Sequence, residues 1–100
     1  MTLEQEWEAL AAIESPDFPE AVNGVDLAIL IDDTTECVGV FLMTGSIDFE
    51  RRGTLRACES ELRAALPSLS GPAAEYFAKL AELAAGVLLR VDRNRPSWLG

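Results

Sequence analysis

Histidine is absent from the chain. Its absence removes the Ser-His-Asp and Cys-His nucleophilic devices, an imidazole general base, and every zinc site that needs imidazole. Lysine and arginine are absent from residues 1 to 50, although that half holds twelve of the seventeen acidic residues. The bases begin with Arg51, Arg52, Arg56 and Arg63 and end with Arg90, Arg93 and Arg95, under a net charge of −9. A phosphate backbone needs a concentrated basic surface, so no nucleic acid is expected as a ligand. An anionic membrane surface is disfavoured for the same reason, and no apolar run reaches the roughly 20 residues of a spanning helix, so no membrane is expected as a partner. Cysteine is scarce: Cys37 and Cys58 form no Cys-x-x-Cys pair, which leaves neither a thioredoxin-like motif nor a four-thiolate zinc site. They read as small core residues. Glycine-rich phosphate loops are missing too, since Gly39, Gly45 and Gly53 stand alone and Gly24 and Gly71 sit at expected helix starts.

What is present is one domain's worth of core. With 100 residues, 49% of them hydrophobic and 25% charged, the chain has the profile of a single folded domain, residues 1-100, with 94-100 as a C-terminal tail. The opening Met-Thr-Leu-Glu-Gln-Glu is acidic where a signal peptide would be basic, so the expected compartment is the cytoplasm.

The apolar spacing predicts four helices. Thr2 and Gln5 fit a capping box, after which Leu3, Trp7, Leu10 and Ile13 recur at helical spacing until Ser15-Pro16, giving a first helix at about 3 to 14. Residues 15 to 24, with two prolines and a closing Asn-Gly, read as a loop that has room for one helical turn and is anchored by Phe18 and Val22. Residues 25 to 44 are the difficult segment. Their Val, Ile, Phe and Thr content favours a hairpin with Asp-Asp-Thr-Thr-Glu as its loop. Their period favours a helix: Leu27, Leu30, Ile31, Thr34, Cys37, Val38, Phe41 and Leu42 collect on one face and Asp26, Asp32, Asp33, Thr35, Glu36 and Gly39 on the other. A strand sorts them less well, because Ala28 and Leu30 would share a side with Asp26 and Asp32. The expectation is a second helix at 24 to 44, with Asn23 as its N-cap and Gly45 closing it.

Ser46 or Asp48 can cap a third helix at 49 to 66, with Leu55, Cys58, Leu62, Ala65 and Leu66 as its core stripe, Arg52, Arg56, Glu59 and Arg63 as a basic flank, and Pro67 as its stop. Ser70-Gly71-Pro72 starts a fourth at 71 to 92, whose stripe is Tyr76, Phe77, Leu80, Leu83, Ala84, Val87, Leu88 and Val91. The expected fold class is all-α, a small four-helix bundle-like domain, and the alternative is α+β with a hairpin at about 25-44.

Asp32, Asp33 and Glu36 form an Asp-Asp-x-x-Glu cluster on one helical turn, a spacing that suits Mg²⁺ in phosphate chemistry when a facing helix adds a second acidic pair. The third helix offers Glu59 beside its core stripe, Glu61 on another face and arginines between, so the facing pair is missing. A solvated acidic face is the plainer reading, and no cofactor or metal is expected. Serines without histidine and a single lysine, Lys79, give no activated nucleophile, so the chain is not expected to be an enzyme.

By elimination, the expected function is that of a small acidic, non-catalytic protein-binding domain. Such a protein, an inhibitor, an immunity or antitoxin-type protein or an adaptor, would contact a basic protein surface through Asp26, Asp32, Asp33 and Glu36, with Trp98 as an aromatic anchor. Two alternatives stand beside it: a homodimeric structural or accessory domain pairing the acidic half of one copy with the basic half of the next, and a metal-dependent hydrolase using Asp32, Asp33 and Glu36. The basic flank of the third helix could also neutralise the acidic face within the chain, leaving nothing for a partner.

Overall fold

A computed structural model of the chain describes residues 2–93. They form four helices, α1 (Leu3–Ala12), α2 (Leu27–Thr44), α3 (Phe49–Ala65) and α4 (Gly71–Arg93), with one 3-10 turn at Leu66–Ser68. Helix accounts for 77% of the structure, so the fold is an all-α bundle and residues 25–44 are not a hairpin.

The period of α2 prevails over its β-branched composition because one face of it is consumed by the core. Leu27, Leu30, Thr34, Cys37, Val38 and Phe41 are all buried. Thr34 would be costly there with its hydroxyl unpaired; it donates to the Leu30 carbonyl at 2.7 Å. Leu55, Cys58, Leu62 and Ala65 of α3 and Phe77, Leu80, Ala81, Leu83, Ala84, Val87 and Leu88 of α4 close the same core. Leu66, Tyr76, Val91, Ile31 and Leu42 pack half-buried at its margin.

α3 lies between α2 and α4, and α1 rests mainly on α4. Each neighbouring pair is antiparallel: Arg52 near the start of α3 meets Asp92 near the end of α4, the Cys37 thiol of α2 meets the Arg51 carbonyl early in α3, and Leu3 of α1 touches Gly86 of α4. That last approach is close. A methyl group added at Gly86 would stand 2.6 Å from Leu3 Cδ2, so the Leu3 side chain would have to shift to keep α1 seated there.

Several boundaries differ from those read in the sequence. α1 ends at Ala12 rather than 14: Ile13 is already extended and 39% exposed, so it is not part of the core stripe. The capping box does form, the Gln5 amide donating to Thr2 Oγ1 and the Thr2 amide to Gln5 Oε1. α2 starts at Leu27 and its cap is Asp26, not Asn23. Asn23 and Gly24 instead turn a two-residue hairpin, Ala21–Val22 (β1) against Val25–Asp26 (β2), with φ of 54° and 78°. Both central residues of such a turn need positive φ, which Asn-Gly tolerates better than any other common pair. The segment 15–24 therefore holds no helical turn. Phe18 anchors it as expected, its ring edge-on to Phe77 with centroids 5.4 Å apart, and Val22 packs beside it on the core. Asp48, rather than Ser46, caps α3 by accepting from the Arg51 amide at 2.7 Å. Gly45 ends α2 in the left-handed region at φ 82°, as expected.

Candidate functional site

The acidic residues singled out by the sequence are divided by α2 into different tasks. Asp26 accepts a hydrogen bond from the Ile29 amide at 3.1 Å and so caps the helix. Asp32, Asp33 and Glu36 are exposed one turn further on. Trp98 lies outside the described residues.

The arginines of α3 were the alternative, internal counter-charge for this face, and most of them point elsewhere. Arg52 donates twice to Asp92 Oδ1 of α4, from Nε at 3.0 Å and from Nη2, and Arg56 reaches Oδ2 of the same carboxylate at 3.3 Å. Those hydrogen bonds, Arg52's first, hold the Asp92 carboxyl below the usual carboxylate range. Arg63 pairs with Glu59 one turn back on α3. Only Arg51 turns towards α2, where its Nη2 is 3.6 Å from Glu36 Oε1 while its Nη1 holds Asp48 Oδ2 at 2.9 Å. Among the described residues, no ion pair reaches the side chain of Asp32 or Asp33.

Between α2 and α3 runs an open groove of about 380 Å³, lined by Asp33, Glu36 and Cys37 on one side and Glu50, Arg51 and Thr54 on the other. Three carboxylates thus border one guanidinium, and the groove accepts hydrogen bonds far better than it donates them. The Arg51 Nε is buried and has no hydrogen-bond partner among the described residues. Sequence reasoning picked out Asp33 and Glu36 but missed Glu50, and the internal counter-charge it weighed as an alternative was Arg52, Arg56 and Arg63 rather than Arg51.

At the floor of the groove, the Cys37 thiol donates to the Arg51 carbonyl at 3.7 Å. Cys37 and Cys58 are both free and buried. Burial raises both thiols above the ordinary value, and Cys58, Glu36 and Asp33 add repulsion against a thiolate at Cys37. A thiol so disfavoured as thiolate is a poor nucleophile. Among the described residues, no three Asp, Glu or Cys side chains are arranged to hold a metal ion, so Asp32, Asp33 and Glu36 are adjacent in sequence without converging on a point. No helix among these residues is long and apolar enough to cross a membrane.

No family model, curated protein or solved structure matches this chain.

Proposed function

We propose that the protein is a small acidic, non-catalytic binding domain that uses the exposed acids of α2, Asp32, Asp33 and Glu36, to contact a basic surface on a partner protein. The single observation behind this reading is where the arginines go. Arg52 and Arg56 are committed to Asp92 and Arg63 to Glu59, so the α3 flank leaves the α2 acids to solvent apart from the contact between Glu36 and Arg51. In that contact the two side chains are 63% and 41% exposed, a setting in which ion pairs contribute little. Three adjacent like charges on one helical turn also repel one another, a cost that an oppositely charged partner removes. Asp26 supports the site indirectly by starting the helix that carries it.

The test compares the protein with its Asp33→Asn/Glu36→Gln variant as bait in an extract of the producing cell. A basic protein retained by the former and lost by the latter supports the reading, and its association rate should fall steeply as ionic strength rises through ~0.15 M. Equal retention by both baits, or an association rate indifferent to salt, defeats it.

A further inference from the structure

The outer face of α2 carries apolar side chains that its own core does not use. At about 100° per residue, Ile29, Asp33, Glu36, Val40 and Met43 fall within an arc of roughly 80°, whose Asp33 edge lies about 40° from the nearest buried residue, Cys37, and which otherwise faces away from the buried Leu27, Leu30, Thr34, Val38 and Phe41. Ile29 is 58% exposed and Met43 87%. Single exposed apolar residues are ordinary, but these two lie on one line with Val40, and Asp33 and Glu36 complete that line at steps of three and four residues, the spacing by which a helix lies along another helix. α3 borders this line at its centre, where Asp33 and Glu36 rim the groove shared with Glu50, Arg51 and Thr54, while Ile29 and Met43 stay exposed on either side. α3 approaches α2 on the side of Cys37, and α1 approaches on the side of Thr35, where Trp7, Leu10 and Ala11 gather with Tyr76.

Charge selects what can cover such a line. Two copies packed antiparallel about Glu36 would bring Asp33 and Glu36 of both chains together at the centre, four carboxylates against one Arg51 from each copy that is already shared with Asp48, and the excess of negative charge disfavours that pairing. A helix with basic residues at the centre and apolar residues at both ends satisfies every position instead. We infer that the outer face of α2 docks an amphipathic helix of a partner protein, whose arginines or lysines meet Asp33 and Glu36 and whose apolar residues meet Ile29 at one end and Val40 and Met43 at the other. Resting on the proposed function, this adds the form of the partner. The line spans about 21 Å, so the partner segment needs about four helical turns.

The probe is a synthetic alanine-rich peptide carrying leucines and arginines at the spacing of Ile29, Asp33, Glu36, Val40 and Met43, made in both directions because the pattern differs when reversed, with the tighter-binding direction carried forward. Its controls are the same peptide with a central proline and the same peptide with each leucine replaced by alanine. Binding to the full-length protein is followed by fluorescence anisotropy and helix gain by circular dichroism. The helical peptide should bind about tenfold or more tightly than either control, gain helicity when bound, and lose about tenfold in affinity for the Ile29→Ala/Met43→Ala variant. Equal binding of the three peptides, weakened only by Asp33→Asn/Glu36→Gln, overturns the helical partner and leaves the basic-surface reading standing. Failure of all three to bind overturns the inference and counts against that reading as well. A dimeric wild type that becomes monomeric in Ile29→Ala/Met43→Ala would show a second copy on this face, and it too overturns the inference.

Discussion

Neutralising Asp33 and Glu36 together should leave the fold at least as stable as before. Two opposing effects decide this. The substitution removes the Glu36–Arg51 contact, 3.6 Å long and well exposed at both ends, for which a few tenths of a kcal/mol is a fair magnitude after solvent screening. Arg51 keeps its closer contact with Asp48 at 2.9 Å, so its guanidinium is not stranded. On the other side, Asp33 and Asp32 stand three and four residues before Glu36, and each like-charge pair at these spacings costs about 0.2–0.5 kcal/mol. The two effects nearly cancel, with a small net gain of a few tenths of a kcal/mol. For a domain of this size that is about 1–3 °C in melting temperature. Thermal melts at low and high salt measure it, and the gain should shrink as salt screens the repulsion that the substitution relieves. A loss of about 1 kcal/mol or more would mean that these carboxylates hold the fold together, and a structural role would then replace the proposed binding role.

Three further outcomes follow from the local geometry. Asp26→Ala removes the α2 cap and should cost about 1 kcal/mol in urea unfolding, a loss that Asp26→Ser largely avoids. Asp92 is held below the ordinary carboxylate range by Arg52 and Arg56, so its stabilising effect is full above that range and is lost as pH falls through the lowered value; Asp92→Asn should be less stable than the parent at neutral pH, and the difference should close in strong acid. The buried thiols act in the opposite direction: the unfolded chain releases their protons near pH 8.5 and the folded chain only above it, so stability should decline through and beyond that pH, and less steeply in Cys37→Ala/Cys58→Ala, as pH-dependent melts would record.

What the sequence discloses is local, and what it hides depends on packing between distant residues. Capping and stop signals act over three or four residues, so Thr2 with Gln5, Asp48 and Gly45 were readable, as were the stripes of α2, α3 and α4. The hairpin at 21–26 escaped notice because arms of two residues are too short to show alternation, and Asn-Gly serves as a turn or a helix approach with equal ease. Ile13 continued the period of α1 but fell just beyond the helix, where Ser15-Pro16 turns the chain away. Asp33 and Glu36 were visible because their exposure follows from the same period that buries Leu30 and Cys37. Which arginine would face them was not, since Arg52 and Asp92 are separated by 40 residues and meet only through the antiparallel packing of α3 on α4. The stripe of Leu55, Cys58, Leu62 and Ala65 fixes which face of α3 turns inward, but nothing within α3 says which of its flanks meets α2 and which meets α4, and Arg51 and Arg52, about 100° apart, fall on different flanks.

The seating of α1 has a dynamic consequence. Leu3 and Leu10 are its only buried residues, whereas α2, α3 and α4 share a core that would persist without it. A helix of 10 residues is also too short to hold itself together in water. α1 should therefore open as a unit at a lower free energy than the rest, so that its amides exchange with solvent through this partial opening while those of α3 and α4 wait for global unfolding. Each opening bares the slot where Trp7 and Leu10 meet Thr35 and Tyr76, on the flank of α2 opposite Asp33. Hydrogen exchange that is uniform across all four helices would show instead that the contact at Gly86 binds α1 into a single cooperative unit.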